Sequence, residues 1–256
     1  MHWFFQSHII QINLLIQSCF VPNLIPRAMQ QNEYDEKDFS KIQSDLKMTK
    51  LILLRHGESQ WNLENRFTGS VDVPLSAKGE QEAVRAGELL KELPIEKVYT
   101  SILRRAIETA EIVTRVRGQH LLTERDKALN ERCYGDLQGL NKADAAKKFG
   151  EAQVKLWRRS YDVRPPNGES LKDTADRTIP FLLEQILPEV KSGTDVLVIA
   201  HGNSLRSIVM YLDNLSPEEV LDLNIPTGVP FVYDMTSDGK ISCATYLSDS
   251  EPLLVV

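Results

Sequence analysis

Short, uninterrupted apolar runs alternate along the chain with longer stretches in which apolar residues return every three or four positions. Leu51-Ile52-Leu53-Leu54 and the run from Val196 to Ala200 are of the first kind. Such a run with no polar break predicts a strand covered on both faces, as in a parallel sheet. Residues 97–100 predict a second strand, and 120–123 a short third one. Helical spacing places Ala83, Val84, Ala86, Leu89 and Leu90 on one face over 76–93, with Ser76 as N-cap and Pro94 as the stop. Ala106, Ile107, Ala110, Ile112 and Val113 repeat the pattern after the second strand. Further helices are predicted over 142–149, 151–161 and 169–190, and through Leu205, Ile208, Val209 and Leu212. Residues 230–235 and 240–246 predict a hairpin across Ser237-Asp238-Gly239. This alternation predicts a three-layer α/β fold, a mostly parallel central sheet flanked by helices.

Residues 1–47 break the pattern. Trp3, Phe4, Phe5, Ile9, Ile10, Leu14 and Leu15 give an apolar start, but Gln6, His8, Gln11 and Asn13 interrupt it, and no Lys or Arg precedes Arg27. A spanning helix needs about 20 nearly uninterrupted apolar residues, and a secretory signal needs a basic start and a small-residue cleavage site. The expectation is therefore a disordered or weakly helical extension, or an upstream start, since Met48-Thr49 directly precedes the first strand. An anchor or address signal is the alternative. Residues 48–256 then make one catalytic domain.

Of 256 residues, 42% are hydrophobic and 26% charged, which excludes disordered and low-complexity classes. Three cysteines without paired short spacing argue against a disulfide framework or a zinc cage, and fit a reducing compartment. A net charge of −6 gives no general attraction to nucleic acid or to an anionic membrane. If the protein handles an anion, its positive charge has to be gathered in one place.

Ligands of open α/β sheets sit beyond the carboxyl ends of the strands. Arg55-His56-Gly57-Glu58 follows the first strand, Ser101 to Arg105 the second, and His201-Gly202-Asn203 the strong run ending at Ala200. A neutral imidazole can attack phosphorus with one ring nitrogen while the other donates to a fixed acceptor, commonly a backbone carbonyl. Arginine suits the transferred group because its planar fork bonds two oxygens at once. Taken singly, each feature has a plain explanation: a structural histidine, or a solvated arginine. Two His-Gly pairs and an arginine at strand ends of one sheet point together to phosphoryl chemistry.

The segment Leu54-Arg55-His56-Gly57-Glu58-Ser59-Gln60-Trp61-Asn62 resembles the signature of the histidine phosphatase superfamily, and more narrowly of the 2,3-bisphosphoglycerate-dependent phosphoglycerate mutases, in their short bacterial form. The likeness continues through Asn65 to Gly69, Thr100-Ser101 with Arg105, Leu129 to Arg132, Tyr134 to Lys142, Trp157-Arg158-Arg159, Ala200 to Arg206 and Asn224 to Pro230. The resemblance implies that His56 is the phosphohistidine nucleophile, that His201 stabilises the transferring group, and that Glu131 exchanges the substrate proton. Arg55, Asn62 and Arg105 would hold the phosphoryl group, with Gly202 and Asn203 closing the pocket. Thr68, Gly69, Arg132, Tyr134, Lys142, Arg158 and Arg159 would grip the carboxylate and the second phosphate of a phosphoglycerate. It further implies 2,3-bisphosphoglycerate as primer, no metal, a cytoplasmic enzyme, and a homodimer or homotetramer. Burial and nearby phosphate are expected to raise the pKa of Glu131.

Residues 164–170 are more compact than in many family members, and Ser70 and Cys133 stand where Trp, and His or Asp, are common. Cys133 is expected to be a buried, unreactive thiol. A phosphatase of the same fold, in which water discharges His56, is the competing reading. A non-enzymatic interaction module is disfavoured because both histidines and Glu131 are present.

Overall fold

The first apolar run forms β1 (Thr49–Arg55), whose side chains leave alternately for opposite faces of the sheet: Leu51 and Leu53 enter one core, Ile52 and Leu54 another. None of the four is more than 1% exposed, because a strand with helices over both faces has no solvent side. The computed structural model describes residues 48–247 and 253–254; the expected extension over 1–47 lies outside the described residues.

After β1 come a single turn, α1 (Gln60–Leu63), and then α2 (Ala77–Leu89), β2 (Lys97–Thr100), α3 (Arg104–Arg117) and β3 (Leu122–Arg125). An excursion follows with two short 3₁₀ turns, α4 (Lys142–Phe149) and α5 (Glu151–Arg159). The chain returns through α6 (Leu171–Phe181), α7 (Leu187–Lys191), β4 (Val196–Ala200), α8 (Gly202–Leu212) and α9 (Glu219–Asp222), and ends in β5 (Pro230–Met235), β6 (Ile241–Tyr246) and β7 (Leu253–Leu254). The strands lie in the order β3-β2-β4-β1-β5-β6-β7. The first four are mutually parallel; β5 runs antiparallel to β1, and β6 returns beside it as the expected hairpin. The sheet is mixed but mostly parallel, as the alternation predicts.

β4 divides its side chains like β1, with Val196, Val198 and Ala200 on one face and Leu197 and Ile199 on the other. Ala86 and Leu90, with Ala106, Ala110 and Val113 of α3, close one face. Leu182, Ile186, Leu187 and Val190, with Leu205, Ile208 and Val209 of α8, close the other. A smaller cluster of Phe67, Leu137, Ala145, Val154 and Trp157 packs the excursion on itself. No helix among the described residues is long and apolar enough to cross a membrane.

Two elements differ from expectation. The third strand spans Leu122–Arg125 rather than 120–123; it is a mostly exposed edge, so apolar pattern could not locate it, and backbone pairing of Lys97 to Thr100 with Leu122 to Arg125 does. The helix expected over 169–190 is three pieces, α6, a π turn over Leu182–Ile186, and α7. Pro180 and Pro188 lack the N–H groups an α-helix would use there, and the wider turn accommodates the gap while keeping Leu182, Ile186 and Val190 buried. Helices expected to reach 93 and 161 stop at Leu89 and Arg159, the usual fraying of ends.

Since Leu197 is fully buried at the centre of the sheet, Leu197→Ala is expected to cost ~2–5 kcal/mol through lost burial and a residual cavity. Equilibrium urea unfolding checks this; a loss well below ~1 kcal/mol would contradict the packing described.

Candidate active site

The parallel pairing of β1 with β4 sets Arg55 level with Ala200, so the residues that follow, His56 and His201, emerge at one height. His56 extends the ladder by one further bond, from its N–H to the carbonyl of Ala200 at 3.0 Å. The two imidazoles stand with ring centroids 4.8 Å apart and planes inclined at 59°. His56 is 2% exposed and His201 fully buried.

Hydrogen bonding fixes the tautomer of His56. Its Nδ1 lies 2.6 Å from the Gly57 carbonyl, which can only accept, so Nδ1 carries the proton. Nε2 receives the Nε–H of Arg105 at 3.3 Å, so this nitrogen presents a lone pair. Burial, then the charges of Arg105 and Arg55, hold the His56 pKa well below the usual 6.5. The same causes, with His56 itself, depress His201, whose Nε2 is 2.7 Å from Ser101 Oγ. The loop after His56 needs glycine: a β-carbon on Gly57 would lie 2.1 Å from the carbonyl oxygen of Gly79, where α2 crosses beneath.

His201 is the N-cap of α8, so Gly202 and Asn203 open its first turn. Asn203 turns its backbone N–H (3.1 Å) and its side-chain amide (2.9 Å) onto Oε1 of Glu131, and the N–H of Arg132 joins them at 2.8 Å. Burial pushes the Glu131 pKa up, but the bonds from Asn203 and Arg132 and the charges of Arg105 and Arg55 outweigh it, and the net shift is downward. Burial acts in the expected direction, but the protein's own groups outweigh it and favour the ionised form of Glu131.

A cavity of ≈ 200 Å³ opens beside these groups. Arg55, Asn62, Thr68, Gly69 and Arg105 line it, as do Tyr134, Lys142, Arg158 and Arg159, with Gly202 and Asn203 of α8. Lys142 heads α4 and Arg158-Arg159 end α5, so the small cluster around Phe67 and Trp157 is what carries these cations to the strand ends. Of the expected residues, His201 and Arg132 do not line the cavity. Arg132 is 1% exposed and gives Nη2 to the Tyr134 hydroxyl (2.8 Å) and to the Arg158 carbonyl (3.2 Å), two groups of the cavity wall. There it draws the Tyr134 pKa down against the upward push of burial. Cys133 is half-buried, its Sγ accepting the N–H of Gly135 at 3.4 Å.

Arg66, Phe67, Arg206, Asn224 and Ile225 also line the cavity and were not among the expected site residues. All fall inside the segments that carry the family resemblance, which was the available signal. Seven cations therefore face it (Arg55, Arg66, Arg105, Lys142, Arg158, Arg159 and Arg206) against one carboxylate, Glu131. Burial, then the neighbouring Arg159, pushes Arg206 down to about 10, and burial brings Arg105 to about 10 as well. Backbone carbonyls hold this repelling set in place. Arg105 gives its two terminal nitrogens to Gly69 and Val71. Arg159, Arg206 and Arg55 donate to the alternate carbonyls of Leu221, Leu223 and Ile225.

Arg55 Nε and Thr68 Oγ1 are buried without a hydrogen-bond partner. Such groups are costly unless a ligand satisfies them, and a donor set of this composition suits a small polyanion bearing phosphate and carboxylate oxygens. Among the described residues no cluster of three or more His, Cys, Asp or Glu side chains could hold a metal ion.

The model of the histidine phosphatase superfamily, branch 1, matches residues 51–242. A 2,3-bisphosphoglycerate-dependent phosphoglycerate mutase of Rhizobium johnstonii is 55% identical over 202 residues, covering 78% of this chain and 96% of that protein. The protein of that name from Chlamydia trachomatis is 48% identical over 74% of this chain and 95% of its own length. Among solved structures, a mycobacterial glucosyl-3-phosphoglycerate phosphatase in complex with VO3 superposes with a TM-score of 0.66 at 29% identity, over 72% of this chain and 90% of the other.

Because folded His56 and His201 resist protonation while the unfolded chain takes up protons near pH 6.5, their contribution to stability is present above that pH and is lost as pH falls below it. ¹H–¹⁵N spectra of the imidazoles are expected to show His56 as the neutral Nδ1–H tautomer from about pH 8 down to about pH 6. Protonation of His56 at an ordinary pKa would contradict the site described.

Proposed function

As the chain belongs to the histidine phosphatase superfamily, branch 1, we propose that it interconverts 3-phosphoglycerate and 2-phosphoglycerate, in glycolysis and gluconeogenesis, through a phosphorylated His56. The observation that carries this reading is a neutral, tautomer-fixed His56, packed against His201, that shares one cation-lined cavity with an ionised Glu131. The relatives at 48–55% identity carry the mutase name. The phosphatase solved with VO3 is more distant, at 29% identity, which favours mutase over hydrolase.

2,3-Bisphosphoglycerate, as primer, supplies the phosphoryl group that His56 first receives. As Arg105 turns from His56 Nε2 to the phosphoryl oxygens, the lone pair on that nitrogen is freed to attack phosphorus, while Nδ1–H stays on the Gly57 carbonyl and absorbs the positive character that develops in the ring. Arg55, Arg105, Asn62 and His201 spread the charge on the equatorial oxygens, a task that is positioning and electrostatics rather than covalent chemistry. Asn62 is prepared for it, since its carbonyl oxygen is engaged by Ser59. For the return transfer, Glu131 takes the proton of the substrate hydroxyl as that oxygen attacks phosphorus, and gives it back when the other hydroxyl leaves. Its low pKa suits the first task; added phosphate charge beside it raises the pKa for the second. Thr68, Gly69, Tyr134, Lys142, Arg158 and Arg159 hold the carboxylate and the second phosphate, and Arg132 steadies Tyr134 and Arg158 from behind. On this reading the catalytic unit is residues 48–256, with 1–47 an extension. The enzyme works in the cytoplasm on a small-molecule substrate, without a metal, as a homodimer or homotetramer.

Conversion of 3-phosphoglycerate to 2-phosphoglycerate should exceed phosphate release and should depend on added 2,3-bisphosphoglycerate. Dominant release of inorganic phosphate would favour the phosphatase. His56→Ala is expected to lower conversion by at least about a thousandfold, and Glu131→Gln by ~10²–10⁴. Full turnover in the His56 variant would end the proposal. A chain beginning at Met48 should keep its rate within about twofold.

A further inference from the structure

Glu131 sits on an irregular stretch between two 3₁₀ turns, so the backbone of this stretch depends on contacts from elsewhere for its course. A second space of ≈ 300 Å³ borders the stretch, lined by Ser70, Ala128, Cys133 and Glu131 itself.

The ion pair of Arg177 with Glu169 borders the same space. Arg177 on α6 meets Glu169, just before that helix, through Nε (3.2 Å) and Nη2 (3.1 Å), a two-point contact. The same guanidinium donates Nη1 to the Ala128 carbonyl at 2.7 Å and Nη2 to the Glu131 carbonyl at 3.2 Å. Glu169 completes the bracket, with Oε2 accepting the N–H of Cys133 at 2.9 Å and its own N–H donating to the Cys133 carbonyl at 2.8 Å. The stretch is thus gripped before, at and after Glu131.

One peptide unit links this grip to the chemistry. The carbonyl of the Glu131–Arg132 peptide accepts from Arg177, while the N–H of that same peptide donates to Oε1 of Glu131. A cation on the carbonyl end polarises the amide and strengthens the donor at the other end, and it holds the peptide plane in one orientation. We propose that Arg177, braced by Glu169, is a positioning residue for proton transfer, acting through the Glu131–Arg132 peptide to aim the Glu131 carboxylate at the substrate hydroxyl. Neither residue lines the substrate cavity. The proposal rests on the role given to Glu131 above.

A leaving group that needs no proton separates this role from simple structural support. In full-length enzyme, Arg177→Met is expected to lower kcat for 3-phosphoglycerate conversion by ~10–100-fold, the usual range for loss of a charged hydrogen bond, with KM changed less than about threefold. The single-turnover burst of nitrophenolate from p-nitrophenyl phosphate reports phosphorylation of His56 without Glu131's proton, and should slow less than about threefold. In a Glu131→Gln background the Arg177 change should cost nothing further, since coupled residues are not additive. Arg177→Lys keeps the charge without the fork and should recover only part of the rate. Glu169→Gln, a milder change, should show the same selective loss at smaller size and serves if Arg177→Met does not fold. Equal losses in both reactions, or an undiminished loss in the Glu131→Gln background, would overturn the proposal. Absence of mutase activity in the unaltered enzyme would instead defeat the function on which it rests.

Discussion

The whole site depends on the register of two parallel strands. β1 and β4 pair so that Arg55 lies opposite Ala200, and the chain leaves both strands at the same level. The hydrogen bond from His56 to the Ala200 carbonyl extends that register one step into the loop after β1. Strands rise ~3.3 Å per residue, so a slip of two residues would separate the imidazoles by more than the width of a phosphate. A slip of one would turn Leu51 and Leu53 into the wrong core. The apolar contacts on both faces of the sheet therefore secure the distance between the two histidines.

A net charge of −6 and a cavity faced by seven cations coexist because the cations are drawn together, not because they are numerous. Gathering them costs desolvation, visible in the lowered pKa values of Arg55, Arg105, Lys142 and Arg206. That cost is offset by backbone carbonyls and by Glu131, and an anion finds donors already in place. The low pKa of Glu131 comes first from the hydrogen bonds of Asn203 and the Arg132 N–H, and the charges of Arg105 and Arg55 add to it, so part of the cationic set also helps keep this carboxylate ionised.

How much of this was legible in the sequence depends on what kind of signal each part leaves. β1 and β4 were plain, since burial on both faces demands an unbroken apolar run. The two histidines followed from their place at strand ends, and the remaining site residues from the family resemblance. β3 left a poor trace because an exposed edge strand needs no apolar pattern. The broken helix after Ser170 hid because Pro180 and Pro188 interrupt hydrogen bonding without interrupting the apolar rhythm. Arg132 could not be told from a wall residue, because only three-dimensional packing shows that it points at Tyr134 and Arg158 rather than at the cavity. The direction of the Glu131 shift was equally hidden, since the bonds from Asn203 come from a residue 72 positions away.

The carbonyls of Leu221, Leu223 and Ile225 hold Arg159, Arg206 and Arg55 in turn. Leu221 belongs to α9, and Leu223 and Ile225 lie on the chain that leaves this short helix. This piece of main chain works as a ruler, its carbonyls dictating how far apart three guanidinium groups stand. Side chains there can change so long as the backbone path survives, whereas inserting or deleting a single residue would alter the pattern of positive charge that an incoming anion meets.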